Sequence, residues 1–212
     1  MIPPHSDTGQ AFPIYITVVA GLLFLALAYL AVGQAAVNRS SAQTAADAAA
    51  LAAAQKTRDQ LAEMWVGDVR DPTKWSGIFH GEGAGNFCWR ADQLAAQNDA
   101  TAQCLFDRPL SYVVDTKASK PVGDSVVPGT ENVHSTAHAT AVIEPLCTFA
   151  LPDEDAGEDT GQNAGEDAGD DALPELTCKE KVWRLEPDDT AGLPEPEDLF
   201  DVHLADSPAN DR

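Results

Sequence analysis

Residues 14–32 read IYITVVAGLLFLALAYLAV and carry no charge, and residues 42–55 read AQTAADAAALAAAQ. About 20 apolar residues rising 1.5 Å each are enough to cross a hydrocarbon core about 30 Å thick. A backbone in lipid has to satisfy its own hydrogen bonds, so such a run has to be helical. Thr17 is tolerable there because its hydroxyl can bond back to its own helix, and Pro13 stands at the helix entry, where a missing N–H costs little. A cleaved secretory signal would show a basic leader and a shorter apolar stretch. Residues 1–10 contain no Lys or Arg, so the run is expected to stay as an anchor.

The helical pattern does not stop at the end of the apolar run. Residues 38–66 have no Gly or Pro and are rich in alanine, the strongest helix former. This stretch is expected to be a smooth, small-residue rod, with Leu51, Leu61, Met64 and Trp65 as its larger apolar contacts. Small side chains let neighbouring helices approach closely. The rod could therefore pack on other stems or on its own domain, or it could serve only as a rigid stalk.

Composition limits the partners. The chain has 212 residues, 34 acidic and 13 basic, for a formal net charge of −21. Nucleic-acid binding needs a basic footprint, and no nucleic acid is expected. The cysteines Cys88, Cys104, Cys147 and Cys178 form no CxxC pair, so a zinc ribbon or thioredoxin-type motif is not indicated. An even number of widely spaced cysteines points to two disulfides in an oxidising space. Three connectivities are open, and sequential pairing, Cys88–Cys104 and Cys147–Cys178, closes the most local loops. The positive-inside rule, applied to Arg39 alone, would place the C-terminal side in the cytoplasm. Long domains cross largely regardless of charge, and the cysteines favour the outside.

Beyond the rod, 67–86 is rich in turn residues. Residues 87–98 (FCWRADQLAAQN) read as an amphipathic helix with Trp89, Leu94 and Ala95 inward, and 103–118 carry strand signals. Residues 133–143 alternate, with Val133, Ser135, Ala137, Ala139, Ala141 and Ile143 on one face. Residues 153–171, DEDAGEDTGQNAGEDAGDD, have no large apolar residue and read as a disordered acidic loop. Residues 175–185 resume as a strand with Trp183 as a core anchor. Residues 199–204 are expected to pack back at an edge. The fold class is thus α+β: a long N-terminal transmembrane and stalk helix, then a small extracytoplasmic domain with one helix and an antiparallel sheet. The divisions are a leader (1–10), a membrane helix (11–37), a helical stalk (38–66), the domain (67–151), the acidic loop (152–174), terminal strands (175–204) and a tail (205–212).

Catalytic chemistry is not advertised. There is no GxSxG, HExxH or P-loop. The glycines of 81–85 lack the strand and helix that a phosphate loop needs, and the acidic run departs from the EF-hand pattern after Gly157. His134 and His138 are four apart, which on a strand separates them by about 13 Å. No enzyme, cofactor, catalytic residue or metal site is expected.

The segment from Gly9 to Gln55 resembles the N-terminus of TadE/TadG-like Flp pilus-assembly proteins. The shared elements are a Gly-Gln before the apolar helix, Arg39 after it, then Gln43 and the AADAAALAAA block at 45–54. The resemblance implies a single-pass protein of the cell membrane whose C-terminal domain lies outside and helps assemble or anchor a thin pilus. Its partners would be the membrane and, through the N-terminal helix, other pilus-assembly or pilin subunits. It also implies a possible processing site between Gly9 and Gln10. Ile14 stands where a pilin-type site carries Glu, so the uncleaved, TadG-like anchor is the expected form. The alternative function is a signal-anchored surface module that recognises a wall or host ligand.

Overall fold

The computed structural model describes residues 11–121, 132–151, 173–179, 181–186 and 192–205. The leader with Gly9 and Gln10, nearly all of the acidic loop and the tail beyond 205 lie outside the described residues. One helix, α1 (Ala11–Gly67), runs unbroken for 57 residues, about 85 Å at 1.5 Å per residue. Thr17 donates to the carbonyl of Pro13 at 2.8 Å, satisfying its hydroxyl within the helix. The N-terminal half is bare: Phe12, Leu22, Phe24, Tyr29 and Val32 are all exposed.

The C-terminal half behaves differently. Ala42, Ala45, Ala46, Ala49, Ala50, Ala53, Ala54, Thr57, Leu61 and Trp65 are buried at 3–4-residue spacing, which is one face of a helix. Past α1 the chain makes a 3-10 turn and then α2 (Trp75–Phe79), α3 (Cys88–Gln97), β1 (Ala100–Arg108), β2 (Ser111–Pro121) and β3 (His134–Pro145). It continues through β4 (Cys147–Phe149), β5 (Leu176–Cys178), β6 (Lys181–Trp183), α4 (Pro196–Leu199) and β7 (Phe200–Leu204). There are two antiparallel sheets, ordered β1-β2-β3-β7 and β4-β5-β6. The architecture is therefore a long apolar helix followed by a small α+β domain.

The inner face of the larger sheet and α3 close on α1. Ala91 and Ala95 of α3 and Ala139 and Ala141 of β3 are all buried. Alanine thus meets alanine on each side of the helix, and the backbones lie close because no side chain holds them apart. The stretch expected as a stalk is the domain's central helix. Of its four expected contacts, Leu61 and Trp65 are fully buried, while Leu51 and Met64 pack at the margin of the core. The Ala49→Leu substitution adds three carbons to a layer with no spare depth and is expected to destabilise by about 1–3 kcal/mol. The same change at exposed Gln55 should move the denaturant midpoint little. Urea titration of the two variants checks this.

Four sequence expectations need correction. Trp89 does not face the core but is 56 % exposed, because the buried face of α3 follows Ala91 and Ala95. The strand signals over 103–118 fall on two strands joined at Pro109 and Leu110, pairing Phe106 with Tyr112 and Cys104 with Val114. The strand expected at 175–185 is two, β5 and β6, with Leu176 opposite Trp183. Trp183 is only half-buried, with the Lys181 ammonium 3.2 Å above its ring. The alternation at 133–143 has a buried face of Ala139, Ala141 and Ile143, while Val133 at its start is exposed. The 199–204 segment forms β7, the edge partner of β3.

Candidate functional site

The feature with functional content is the seat where α1 enters the domain. Three groups hold it. Midway, Tyr112 is fully buried, and its hydroxyl lies 2.7 Å from Thr57 Oγ1 on α1. It accepts from the Phe87 N–H and donates to the Gly85 carbonyl, both at 3.0 Å. One residue-turn further along α1, Gln60 donates from Nε2 to the Gly83 carbonyl at 3.1 Å and accepts from the Gly85 N–H at 2.8 Å. The glycine-rich loop is thus hydrogen-bonded to the helix as a strand would be. Gly81 takes φ +82°, and a Cβ there would come within 2.6 Å of Pro109 Cβ, so this position requires glycine.

At the apolar end of the seat, Thr116 donates to the Ala42 carbonyl at 3.0 Å, and Gln43 donates to the His138 carbonyl at 3.2 Å. At the far end, Trp65 packs against Trp75 with ring centres 5.4 Å apart and planes tilted by 53°, and Trp75 meets Phe149 edge-on at 5.2 Å. Phe79 joins Phe149 and Phe200 to the same cluster. The disulfides lie on either side of the seat. Cys88–Cys104 ties the first residue of α3 to β1, and Cys147–Cys178 joins directly paired residues of β4 and β5. Among the described residues no cysteine is free.

Burial raises the Tyr112 pKa above the usual tyrosine value, partly countered by the hydrogen bonds from Thr57 and Phe87. A neutral phenol is therefore the native form. Its contribution to stability is complete below about pH 10, where the unfolded phenol also keeps its proton, and is lost as pH rises through the folded value. Lys74, raised by its hydrogen bond to Asp68, changes in the same direction. The Tyr112→Phe substitution orphans the Phe87 N–H and the Gly85 carbonyl and should cost about 1–3 kcal/mol at neutral pH. It should also flatten the loss of stability above pH 10. Thermal melts of both proteins across pH 7–11 test both statements.

His134 and His138 do not converge. His134 bonds the Ala118 carbonyl at 2.8 Å and His138 bonds Asp115 at 2.9 Å. Thr140 Oγ1 lies 3.5 Å from the other nitrogen of His138, a sequence of groups that superficially resembles a nucleophile, base and acid. All three side chains sit on the open outer face of the sheet, with Asp115 65 % and His138 55 % exposed. No wall excludes water there, and no donors surround a point where an oxyanion could form. Among the described residues, no group of three or more His, Cys, Asp or Glu side chains could hold a metal ion.

The arrangement defines a class. One helix among the described residues is long and apolar enough to cross a membrane, and the same helix, without a hinge, forms the core of a disulfide-tied α+β domain. A family model described as putative Flp pilus-assembly TadE/G-like matches residues 9–56, which span the apolar run and most of the alanine face. No curated protein and no solved structure matches the chain. Sequence reasoning missed Gln60 and Tyr112. Their signal was available only in combination, as a polar helix position and a tyrosine both reaching one glycine-rich loop.

Proposed function

We propose that this protein is a non-catalytic, membrane-anchored component of Flp-type pilus assembly, of the uncleaved TadG-like kind, with its domain outside the membrane. The observation that carries the reading is the hinge-free seat. A domain built around its own anchor holds a fixed height and orientation above the bilayer, as a scaffold for a growing filament requires. The family match over 9–56 supplies the pilus context. Two disulfides favour an oxidising compartment. The alanine face at 42–54 is occupied by the protein's own sheet and α3, so contacts with other subunits fall to the bare apolar half, residues 12–37. We further take the leader, residues 1–10, as retained uncleaved.

Deleting the gene is expected to remove surface filaments, and the full-length chain is expected to restore them. Filaments that persist without the chain would end the reading. Intact mass of membrane-purified protein decides the rest. An unprocessed leader with no alkylatable thiol before reduction is the expected result. A chain starting at Gln10 would mean pilin-type processing, and four free thiols would put the domain in the cytoplasm.

A further inference from the structure

We propose that the free edge of β1 binds an extended, basic segment of a partner protein as a fifth strand of the larger sheet. β1 ends the order β1-β2-β3-β7 and pairs only with β2 among the described residues. The Ser119 N–H donates to the Asp99 carbonyl at 2.7 Å, and Ala100 lies opposite Ala118. Antiparallel strands exchange hydrogen bonds at alternate residues, so Thr101, Gln103 and Leu105 turn their backbone groups toward β2. The N–H and C=O of Ala102, Cys104 and Phe106 therefore point outward, where they have no partner among the described residues.

Edge strands are ordinarily guarded by shortness, Lys, Pro or an inward charge. β7 has five residues and β4 and β6 have three each. β1 has nine, and 100–106 contain no charge and no Pro. Apolar surface flanks this same edge. Leu105, 58 % exposed, and Trp89, 56 % exposed, are the two most exposed large apolar side chains described outside α1. Leu105 alternates with Cys104 and Phe106, which pack on the core, so it stands on the outer face. Trp89 follows Cys88, which is bonded to Cys104. It lies about 140° around α3 from the buried Ala91 and Ala95, at 3.6 residues per turn, and so on the side turned away from α1. An added strand meets Leu105 on one face and Phe106 and Trp89 on the other, which suits a segment that alternates apolar and polar residues.

Charge and anchoring select the occupant. With a net charge of −21, the chain steers a basic segment toward itself. A second copy does not fit. Antiparallel β1–β1 pairing about a two-fold axis reverses α1, and a parallel pair about a two-fold sets N–H against N–H. Pairing β1 with the β7 of a neighbour continues a twist of about 20–25° per strand, which over four strands turns the neighbour's α1 by roughly 80–100°. None of these arrangements lets hinge-free helices share one bilayer. The exclusion of a second copy rests on the anchor reading above, and the open edge does not.

The test uses the full-length chain in detergent micelles, with amide hydrogen exchange followed by nuclear magnetic resonance. The probe is the peptide KTVTFTVTK, and its controls are the same peptide N-methylated at alternate residues and the acidic-ended ETVTFTVTE. Saturating probe should slow exchange at Ala102, Cys104 and Phe106 by about tenfold or more, the effect of one backbone hydrogen bond each. Thr101, Gln103 and Leu105, already paired with β2, should change little. The acidic-ended peptide should bind more weakly and the N-methylated one not at all. Ala102→Pro removes an N–H that faces away from β2, a position where an edge strand tolerates Pro, and should weaken probe binding about tenfold with little change in melting temperature. Trp89→Ser should weaken it too, with the backbone edge unaltered. No protection of the three outward amides, or equal protection by the N-methylated peptide, overturns the proposal. Protection that rises with protein concentration in the absence of probe makes a second copy the occupant and overturns it as well. Flotation of the chain with lipid vesicles, measured separately, tests the anchor reading by itself.

Discussion

A chain beginning at residue 38 is expected to fold, and a chain beginning at residue 67 is not. The apolar run contributes nothing to the domain's core, since its large side chains are exposed along their length. The remainder of α1 contributes the central layer, from Ala42 to Trp65. Losing a buried Leu such as Leu61 costs about 2–5 kcal/mol and a buried Trp such as Trp65 about 3–5 kcal/mol. Their sum alone approaches the 5–15 kcal/mol that holds a typical domain together, before the alanine face or the hydrogen bonds of Thr57 and Gln60 are counted. The shorter chain would also leave the inner faces of β2, β3 and α3 open to water. Proton–nitrogen correlation spectra and urea unfolding separate the outcomes. A dispersed spectrum and one cooperative transition are expected from 38–205. A collapsed spectrum without a transition is expected from 67–205. A native-like spectrum from the shorter chain would mean that α1 only leans on a domain complete without it.

The reason this was not legible in the sequence lies in alanine itself. It is the strongest helix former and also the smallest side chain with a Cβ, so AADAAALAAA is equally readable as a solvated rod or as a close-packed face. Its partners, Ala91, Ala95, Ala139 and Ala141, are alanines as well and do not stand out as an apolar surface. Trp89 misled for the opposite reason. Its size suggested burial, but it lies off the stripe that Ala91 and Ala95 set, and helical phase outweighs side-chain size. The hairpin at Pro109-Leu110 lacks the Asn-Gly or Asp-Gly signal of a tight turn, so the strand signals over 103–118 did not mark where β1 ends and β2 begins. By contrast, the long apolar helix and the strand over 133–143 were legible because contrast between apolar and polar positions is written directly into residue type.

Reduction of the two disulfides is expected to be the other large perturbation. In the chain-entropy treatment, a bond closing a separation of 16 residues, as in Cys88–Cys104, contributes about 3.1 kcal/mol. The separation of 31 in Cys147–Cys178 gives about 3.7 kcal/mol. Together they match much of the stability of an ordinary domain, and the melting temperature should fall by about 15–25 °C on reduction. The two bonds should not be equivalent. Cys88–Cys104 joins elements that already pack on α1, so losing it lowers stability with the fold intact. Cys147–Cys178 holds the smaller sheet, whose strands have three residues each and are too short to stand alone. Cys147→Ala/Cys178→Ala should therefore release Phe149 from Trp75 and Phe79 and raise hydrogen exchange at 146–149 and 176–183, while β1–β3 stay protected. Exchange that rises uniformly over the domain would show instead that the bond acts on the unfolded chain alone, and that the aromatic cluster keeps the small sheet in place without it.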